Sequence, residues 1–327
     1  MPQRITQLKK WLETLPGLSG FSFDLASGDA SFRRYFRIGV AGNSYIAMDA
    51  PPEKENSEPF VRVAESFERI GLNVPHIFAK DLQQGFMLLE DLGDDLYLGR
   101  LTSETVNRLY GDALGALATL QACAPIEGLP LYDRNLLIQE MALFRDWLLT
   151  GFLKLTLSHD EQQLLDRTFD DLAASALQQP QVCVHRDFHS RNLMVRPKHN
   201  PGILDFQDAL VGPATYDLVS LLRDCYIEWP DDQVEAWAMG YFELACQSGV
   251  LRAEHEAQFL IWFDLMGIQR HLKASGIFAR LNLRDGKSGY LKDIPRTLNY
   301  IDRIAGRYES MSDFVRFLRQ RVISHLP

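Results

Sequence analysis

Cysteine is scarce in this sequence. Its 327 residues hold four, at positions 123, 183, 225 and 246, with no CxxC pair and no His/Cys spacing that could grip a metal. That excludes a disulfide framework or a zinc knuckle and fits a reducing cytoplasm. Long apolar runs are missing too. None reaches the roughly 18–20 residues a membrane span needs, so no membrane partner is expected. The opening stretch, MPQRITQLKKWLETLPG, lacks an apolar core and a small-residue cleavage site, and it reads as an amphipathic helix rather than a secretory signal. Positive charge is in deficit: 34 Lys+Arg against 43 Asp+Glu give a net −9. That balance argues against nucleic acid as the main partner. There is no internal repeat and no low-complexity segment, and nothing marks an obligate protein partner.

What is present has the texture of a globular chain with two patterns in it. Ile5, Leu8, Leu12 and Leu15 recur at helical spacing, and Pro16-Gly17 ends the run. Segments 21–26, 32–38 and 44–48 are short, aromatic or β-branched, and parted by small residues, which predicts an antiparallel meander. A helix over 58–70 and a hairpin of strands 76–81 and 85–91 follow. After Gly93 the periodicity turns helical, with Val106, Leu109, Tyr110, Ala113, Leu114, Leu117 and Leu120 on one broad face. Further helices are predicted near 135–150, 160–177, 214–226, 231–247, 255–274, 294–306 and 311–325. One strand-rich island interrupts them, at 182–185, 193–195 and 202–205. The expected fold is α+β in two lobes: a small β-rich lobe over 1–92 and a larger helical lobe over 93–327, parting near Leu92–Gly93.

The island carries the chemistry. Residues 185–192 read HRDFHSRN and residues 203–206 read ILDF. Asn192 and Asp205 stand thirteen residues apart across a hairpin, so the returning strand can bring them to one end of the pair. An amide oxygen and a carboxylate there suit a hard cation, Mg²⁺ above all. Asp187, on the loop before them, would face the same point. Phosphoryl transfer asks for this set: metal to neutralise phosphate charge, and a carboxylate to orient the acceptor hydroxyl and take its proton. H-R-D, four residues, then Asn is the kinase catalytic-loop pattern.

Together HRDFHSRNLMV and ILDFQDA resemble the aminoglycoside phosphotransferase-like small-molecule kinases, over roughly residues 25–225. The resemblance implies the two-lobed protein-kinase-like fold, with ATP and Mg²⁺ as cofactors. It implies Asp187 as catalytic base and Asn192 and Asp205 as metal ligands. His185 would pack under the catalytic loop, His189 would support it by hydrogen bonding, and Asp217 would brace it. Gln207 replaces the glycine of Asp-Phe-Gly, which speaks against a mobile activation segment.

The nucleotide lobe is less explicit. Between the first two strands lies GDASFRRYFR, where a phosphate-covering loop belongs. Gly28 permits a tight turn, and Ala30 and Ser31 are small enough to admit phosphate oxygens. Arg33 and Arg34 are adjacent, so one is expected to face nucleotide and the other solvent. Kinases carry a lysine on the third strand; here Met48 stands in its place, and Glu58, Glu65 and Glu68 offer no obvious partner. Either another cation (Arg33, Arg34 or Lys54) replaces it, or the chain no longer transfers phosphate. The intact trio of Asp187, Asn192 and Asp205 favours replacement. By the resemblance, Glu90, Asp91 and Leu92 form the hinge that binds the adenine edge.

On the acceptor side, Asp208 is a secondary candidate. Residues 266–292 hold Arg270, Lys273, Arg280, Arg284, Lys287 and Lys292 against Asp285 alone, a local +5 in a chain of −9. That suits an anionic or strongly hydrogen-bonding acceptor and not a polycation. His271 lies among them. GDASFRRYFR, YIAMDAPPEKE and QRHLKASGIFARL resemble the branch of the family that phosphorylates an amino sugar, N-acetylmuramate or N-acetylglucosamine, at its anomeric hydroxyl in peptidoglycan recycling. Met48 belongs to that resemblance. Another small acceptor, such as an amino alcohol or an aminoglycoside, and a non-catalytic nucleotide-binding regulator stay open at this level.

Overall fold

Leu8 and Leu12, four residues apart on one helix face, are fully buried. They give α1 (Pro2–Glu13) an apolar stripe that must find a surface. It packs with Leu18 into a cluster that includes Phe36, Ile38, Ala47, Phe86 and Leu88. Each of the Leu, Ile and Phe side chains there contributes on the order of 1.5–3 kcal/mol by leaving water. Those partners belong to an antiparallel sheet of β1 (Ser22–Gly28), β2 (Arg34–Val40), β3 (Asn43–Asp49), β4 (Ile77–Asp81) and β5 (Phe86–Glu90), ordered β1-β2-β3-β5-β4. Phe36 and Ile38 alternate inward along β2. The β2–β3 hairpin turns on Ala41-Gly42, both at positive φ, as a two-residue loop between right-twisted strands requires. Between β3 and β4 lies α2 (Glu58–Arg69), which buries Phe60, Val61, Val63, Ala64 and Phe67.

The computed structural model describes residues 2–28 and 32–326. By packing, the chain forms two compact units, Met1–Ala113 with Arg191–Asp208, and Leu114–Ser190 with Ala209–Pro327. The short hairpin that carries Asn192 and Asp205 therefore packs with the N-terminal sheet. After the sheet come α3 (Tyr97–Arg100), α4 (Val106–Cys123) and α5 (Arg134–Leu143), whose end widens into a π-helical segment, Phe144–Phe152. α6 (His159–Leu177) starts at a reciprocal cap between Ser158 and Glu161. Then follow β6 (Gln181–Val184), β7 (Leu193–Met194), β8 (Gly202–Ile203) and β9 (Leu210–Pro213). The helices α7 (Tyr216–Leu222), α8 (Asp231–Gln247), α9 (Glu256–Asp285), α10 (Ile294–Ala305) and α11 (Ser312–Phe317) complete the order.

β6 pairs antiparallel with β9, a strand the sequence did not announce. Two expectations need correction. The helix expected to stop near 274 runs on to Asp285 and ends at Gly286, which holds φ +68°. The helix expected over 311–325 breaks after Phe317 into tight and wide turns. Among the described residues no helix is long and apolar enough to cross a membrane.

Candidate active site

In the second unit, the loop after β6 is held by buried carboxylates at both ends. Asp217, in the first turn of α7, is fully buried. It accepts the His185 N–H at 2.6 Å and the Arg186 N–H at 3.0 Å. Burial pushes its carboxyl up to about 7 against the pull of those two donors. Asp224 takes the Ser190 N–H at 2.9 Å and its hydroxyl at 2.5 Å, and accepts the Tyr226 N–H at 3.0 Å. Between these braces Arg186 adopts φ +78°, a strained conformation for a non-glycine residue. His185 is fully buried, accepts the Asp187 N–H on Nδ1 at 3.2 Å, and meets Phe188 edge-on. It is a packing residue, as the resemblance implied.

Asp187 lines a recess open to about 440 Å³ of empty space, outer solvent included. Its polar wall is completed by His189, Tyr216, Cys225, Arg270 and Lys273, and its apolar wall is Tyr226, Ala274, Ile277 and Phe278. Arg270, Lys273, Ala274 and Ile277 follow the i, i+3, i+4, i+7 pattern, so a single face of α9 builds one side. The Lys273 ammonium sits 3.0 Å from Glu140 of α5 and 2.9 Å from the Tyr216 hydroxyl. Glu140 also takes Arg186 at 2.5 Å and the Tyr132 hydroxyl. Burial works to raise the Glu140 carboxyl, but Lys273 and Arg186 hold it below its ordinary value. Burial likewise works to raise Asp187, and is outweighed by the charges of Lys273, His189 and Arg270, which keep that carboxyl below the usual range. His189 Nε2 lies 4.0 Å from Asp187, and its ring meets Tyr226 edge-on. Tyr226 in turn touches Phe278, which stacks on Tyr290. An ionised carboxylate, two cations and an aromatic wall make this a place for a polar ring with an apolar face.

The predicted basic cluster is only partly there. Arg270 and Lys273 reach the recess. His271, one position on, does not: it is buried, donates from Nε2 to the Arg223 carbonyl at 2.9 Å and stacks on Tyr300. Burial and the neighbouring Arg270 push its imidazole down to about 3, so it is neutral. Arg280 is partly exposed and outside the lining, while Arg284 is exposed and paired with Asp285 at 2.8 Å.

In the first unit, β7 and β8 pair as Leu193↔Ile203 and Met194↔Gly202. The Leu204 N–H donates to the Asn192 carbonyl at 2.9 Å, which extends the ladder and brings the two side chains together. The Asn192 amide nitrogen lies 3.5 Å from one Asp205 oxygen, and Gln207 donates to the other at 2.7 Å. Asp205 has φ +63°. Phe206 is fully buried against Phe60 and Phe67 of α2, so it anchors the strand end from which the exposed Asp205 projects. Among the described residues no three His, Cys, Asp or Glu side chains gather as a metal cage. Mg²⁺ needs none, since it takes one or two carboxylates and completes its octahedron with phosphates and water. A carboxylate beside an amide, both accessible, fits that ion. Asp208 is exposed at the edge of this segment.

Of the nucleotide-lobe residues, Gly28 ends β1 opposite Arg34, and Ser31 and Ala30 lie outside the described residues. Neither arginine is left to solvent. Arg33 is 9% exposed and pairs with Glu55 at 3.0 Å. Arg34 pairs with Asp49, a fully buried carboxylate that also takes Arg4 at 2.5 Å. Lys54 sits over the Phe32 ring. Met48 is fully buried. At the expected hinge, the Glu90 N–H donates to the His76 carbonyl at 2.8 Å and the Glu90 carboxylate lies 3.5 Å from Arg196. Asp91 binds Arg37 at 2.6 Å, the Ser44 hydroxyl at 2.5 Å and the Gly93 N–H at 2.9 Å. Burial works against the Asp91 charge, but these donors hold its carboxyl low. Leu92 is buried in this unit. Sequence reasoning missed Glu140, Asp224 and Asp49, for which no local spacing gives a signal.

Residues 23–260 match the model of the phosphotransferase enzyme family. The chain is 42% identical over 325 residues to an N-acetylmuramate/N-acetylglucosamine kinase of Neisseria meningitidis, covering 98% of this chain and 96% of that one. A kinase of the same name from Pseudomonas putida is 45% identical over 293 residues, 89% and 86% of the two chains. Among solved structures, an ethanolamine kinase of Plasmodium vivax superposes with a TM-score of 0.64 at 13% identity, over 91% of this chain and 87% of that one. The catalytic-loop geometry and the family match together make this chain a member of the phosphotransferase enzyme family.

Proposed function

We propose that the chain transfers the γ-phosphoryl group of ATP to the anomeric hydroxyl of N-acetylmuramate or N-acetylglucosamine, in the cytoplasm, as a step of peptidoglycan recycling. The observation that carries this reading is the recess beside Asp187. Its carboxylate is kept ionised by neighbouring cations, as a group that accepts a hydroxyl proton requires. The wall of Tyr226 and Phe278 suits the C–H face of a sugar ring. Arg270 and Lys273 disfavour a cationic amino alcohol or aminoglycoside. The names of the bacterial relatives supply the two sugars.

In this reading Asp187 orients the acceptor hydroxyl and takes its proton. Asn192 and Asp205 would hold Mg²⁺, which neutralises phosphate charge when bound. Gly28 and Ser31 cover the phosphates. Arg33, held by Glu55, takes the place of the kinase lysine and its glutamate, because Arg34 is committed to buried Asp49. The backbone of Glu90, Asp91 and Leu92 receives the adenine edge, and the functional lobes part at Leu92–Gly93. Replacing Asp187 with Ala should lower kcat about a thousandfold while the far-UV spectrum and Tm stay close to wild type. A variant with near-normal turnover would remove Asp187 from the chemistry.

A further inference from the structure

Most cations near the recess are already matched. Lys273 has Glu140 and the Tyr216 hydroxyl, Arg186 has Glu140, and Arg223 has Asp264 at 2.5 Å. Arg270 differs. It is 6% exposed and lines the recess with Asp187. Its Nη1 donates to the Cys225 sulfur at 3.7 Å, a weak acceptor, and its Nε has no acceptor. Among the described residues no carboxylate forms an ion pair with it. The carboxylates of Asp187 and Asp224 act on it through space and favour its charged form, but neither is in contact with it, so its donors are left for a ligand to complete. Its planar fork of donors matches a carboxylate in two-point contact.

We propose that Arg270 is the carboxylate receptor of the acceptor recess, so that the preferred acceptor is an amino sugar bearing a carboxylate, and Arg270 sets its preference over the neutral sugar. This rests on the reading of the recess as an amino-sugar site. N-acetylmuramate carries such a group, a lactyl ether, and N-acetylglucosamine lacks it. Lys273 cannot serve in the same way, because Glu140 already neutralises it. Arg270 also adds to the field that keeps Asp187 ionised. That field acts on both sugars alike, so the ratio between them isolates the carboxylate contact.

The test compares wild type, Arg270→Gln and Arg270→Lys on the two sugars with ATP and Mg²⁺. The kcat/KM ratio of N-acetylmuramate to N-acetylglucosamine should fall at least about tenfold in the Gln variant and less in the Lys variant. An unchanged ratio overturns the proposal. If the variants do not fold, wild type is given N-acetylmuramate and its lactyl amide. The amide should be poorer by a similar factor, and equal use of both overturns the proposal. A calorimetric titration with N-acetylmuramate needs no turnover. Binding to wild type that weakens in the Gln variant supports the carboxylate site even if neither sugar is phosphorylated, and then only the reading of the reaction fails. Absent binding, or equal binding in both proteins, overturns the proposal.

Discussion

Asp187 is a carboxylate whose surroundings compete. Burial would favour its neutral form, and Lys273 is the largest charge opposing that, ahead of His189 and Arg270. Because the folded value is depressed, the group contributes stability above its unfolded value, and that contribution is lost as pH falls through the folded one. For catalysis the consequence is an acid limb of kcat/KM below the ordinary carboxylate range. Replacing Lys273 with Met removes the largest opposing charge and should move that limb upward in pH. Profiles of wild type and variant would show it, and an unmoved limb would contradict this account of Asp187. At this scale legibility depended on distance along the chain. Asp187, Asn192 and Asp205 could be read because they lie within one loop and hairpin. Glu140 and Arg186 are 46 residues apart, Asp224 and Ser190 are 34 apart, and Arg4 and Asp49 are 45 apart. Folding alone brings such pairs together, and nothing in local spacing predicts them.

The element on which the recess depends is α9. Its face sets Arg270, Lys273, Ala274 and Ile277 in one row, and its continuation past residue 274 was not legible because Ser275-Gly276 resembles a helix stop. Gly276 is there for another reason. A Cβ at that position would stand 2.3 Å from the Leu143 carbonyl carbon and 2.5 Å from the Phe144 nitrogen, where the end of α5 presses on α9. In a solvated helix Gly→Ala gains up to about 1 kcal/mol; here backbone must move, and overpacking costs about 1–3 kcal/mol. Gly276→Ala should therefore destabilise by about 2 kcal/mol in urea denaturation and raise the acceptor KM, since Arg270 and Lys273 ride on the same helix. A more stable variant would contradict the close approach. Strand prediction followed similar physics. The five N-terminal strands were visible because aromatic and β-branched residues alternate between turns. β9 was not, because LVGP is short and carries a glycine and a proline. A Cβ at Gly212 would crowd Tyr132 and Leu210 side-chain atoms at 3.1 Å, so those neighbours would have to give by a few tenths of an ångström.

For the whole molecule, the net −9 describes a surface and not the acceptor recess. The local +5 counted along the sequence also overstated the case, since Arg284 spends its charge on Asp285 and Arg280 lies outside the lining. Of the two buried cations that line the recess, Lys273 is paired with Glu140, and Arg270 has no carboxylate in contact, which favours an anionic acceptor over a polycation. Asp187 and the recess belong to one compact unit, Asn192 and Asp205 to the other. Membership of the phosphotransferase enzyme family fixes the class of reaction; the proposed sugars come from the names of the relatives, and the recess adds a charge and an aromatic wall that suit them. The most direct test supplies the purified chain with ATP, Mg²⁺ and a panel holding N-acetylmuramate, N-acetylglucosamine, choline and an aminoglycoside, and locates the new phosphate by its NMR coupling to sugar protons. The account predicts transfer to the two amino sugars alone, with phosphorus coupled to the anomeric proton. Phosphate on choline, on the aminoglycoside or on a non-anomeric hydroxyl would contradict it.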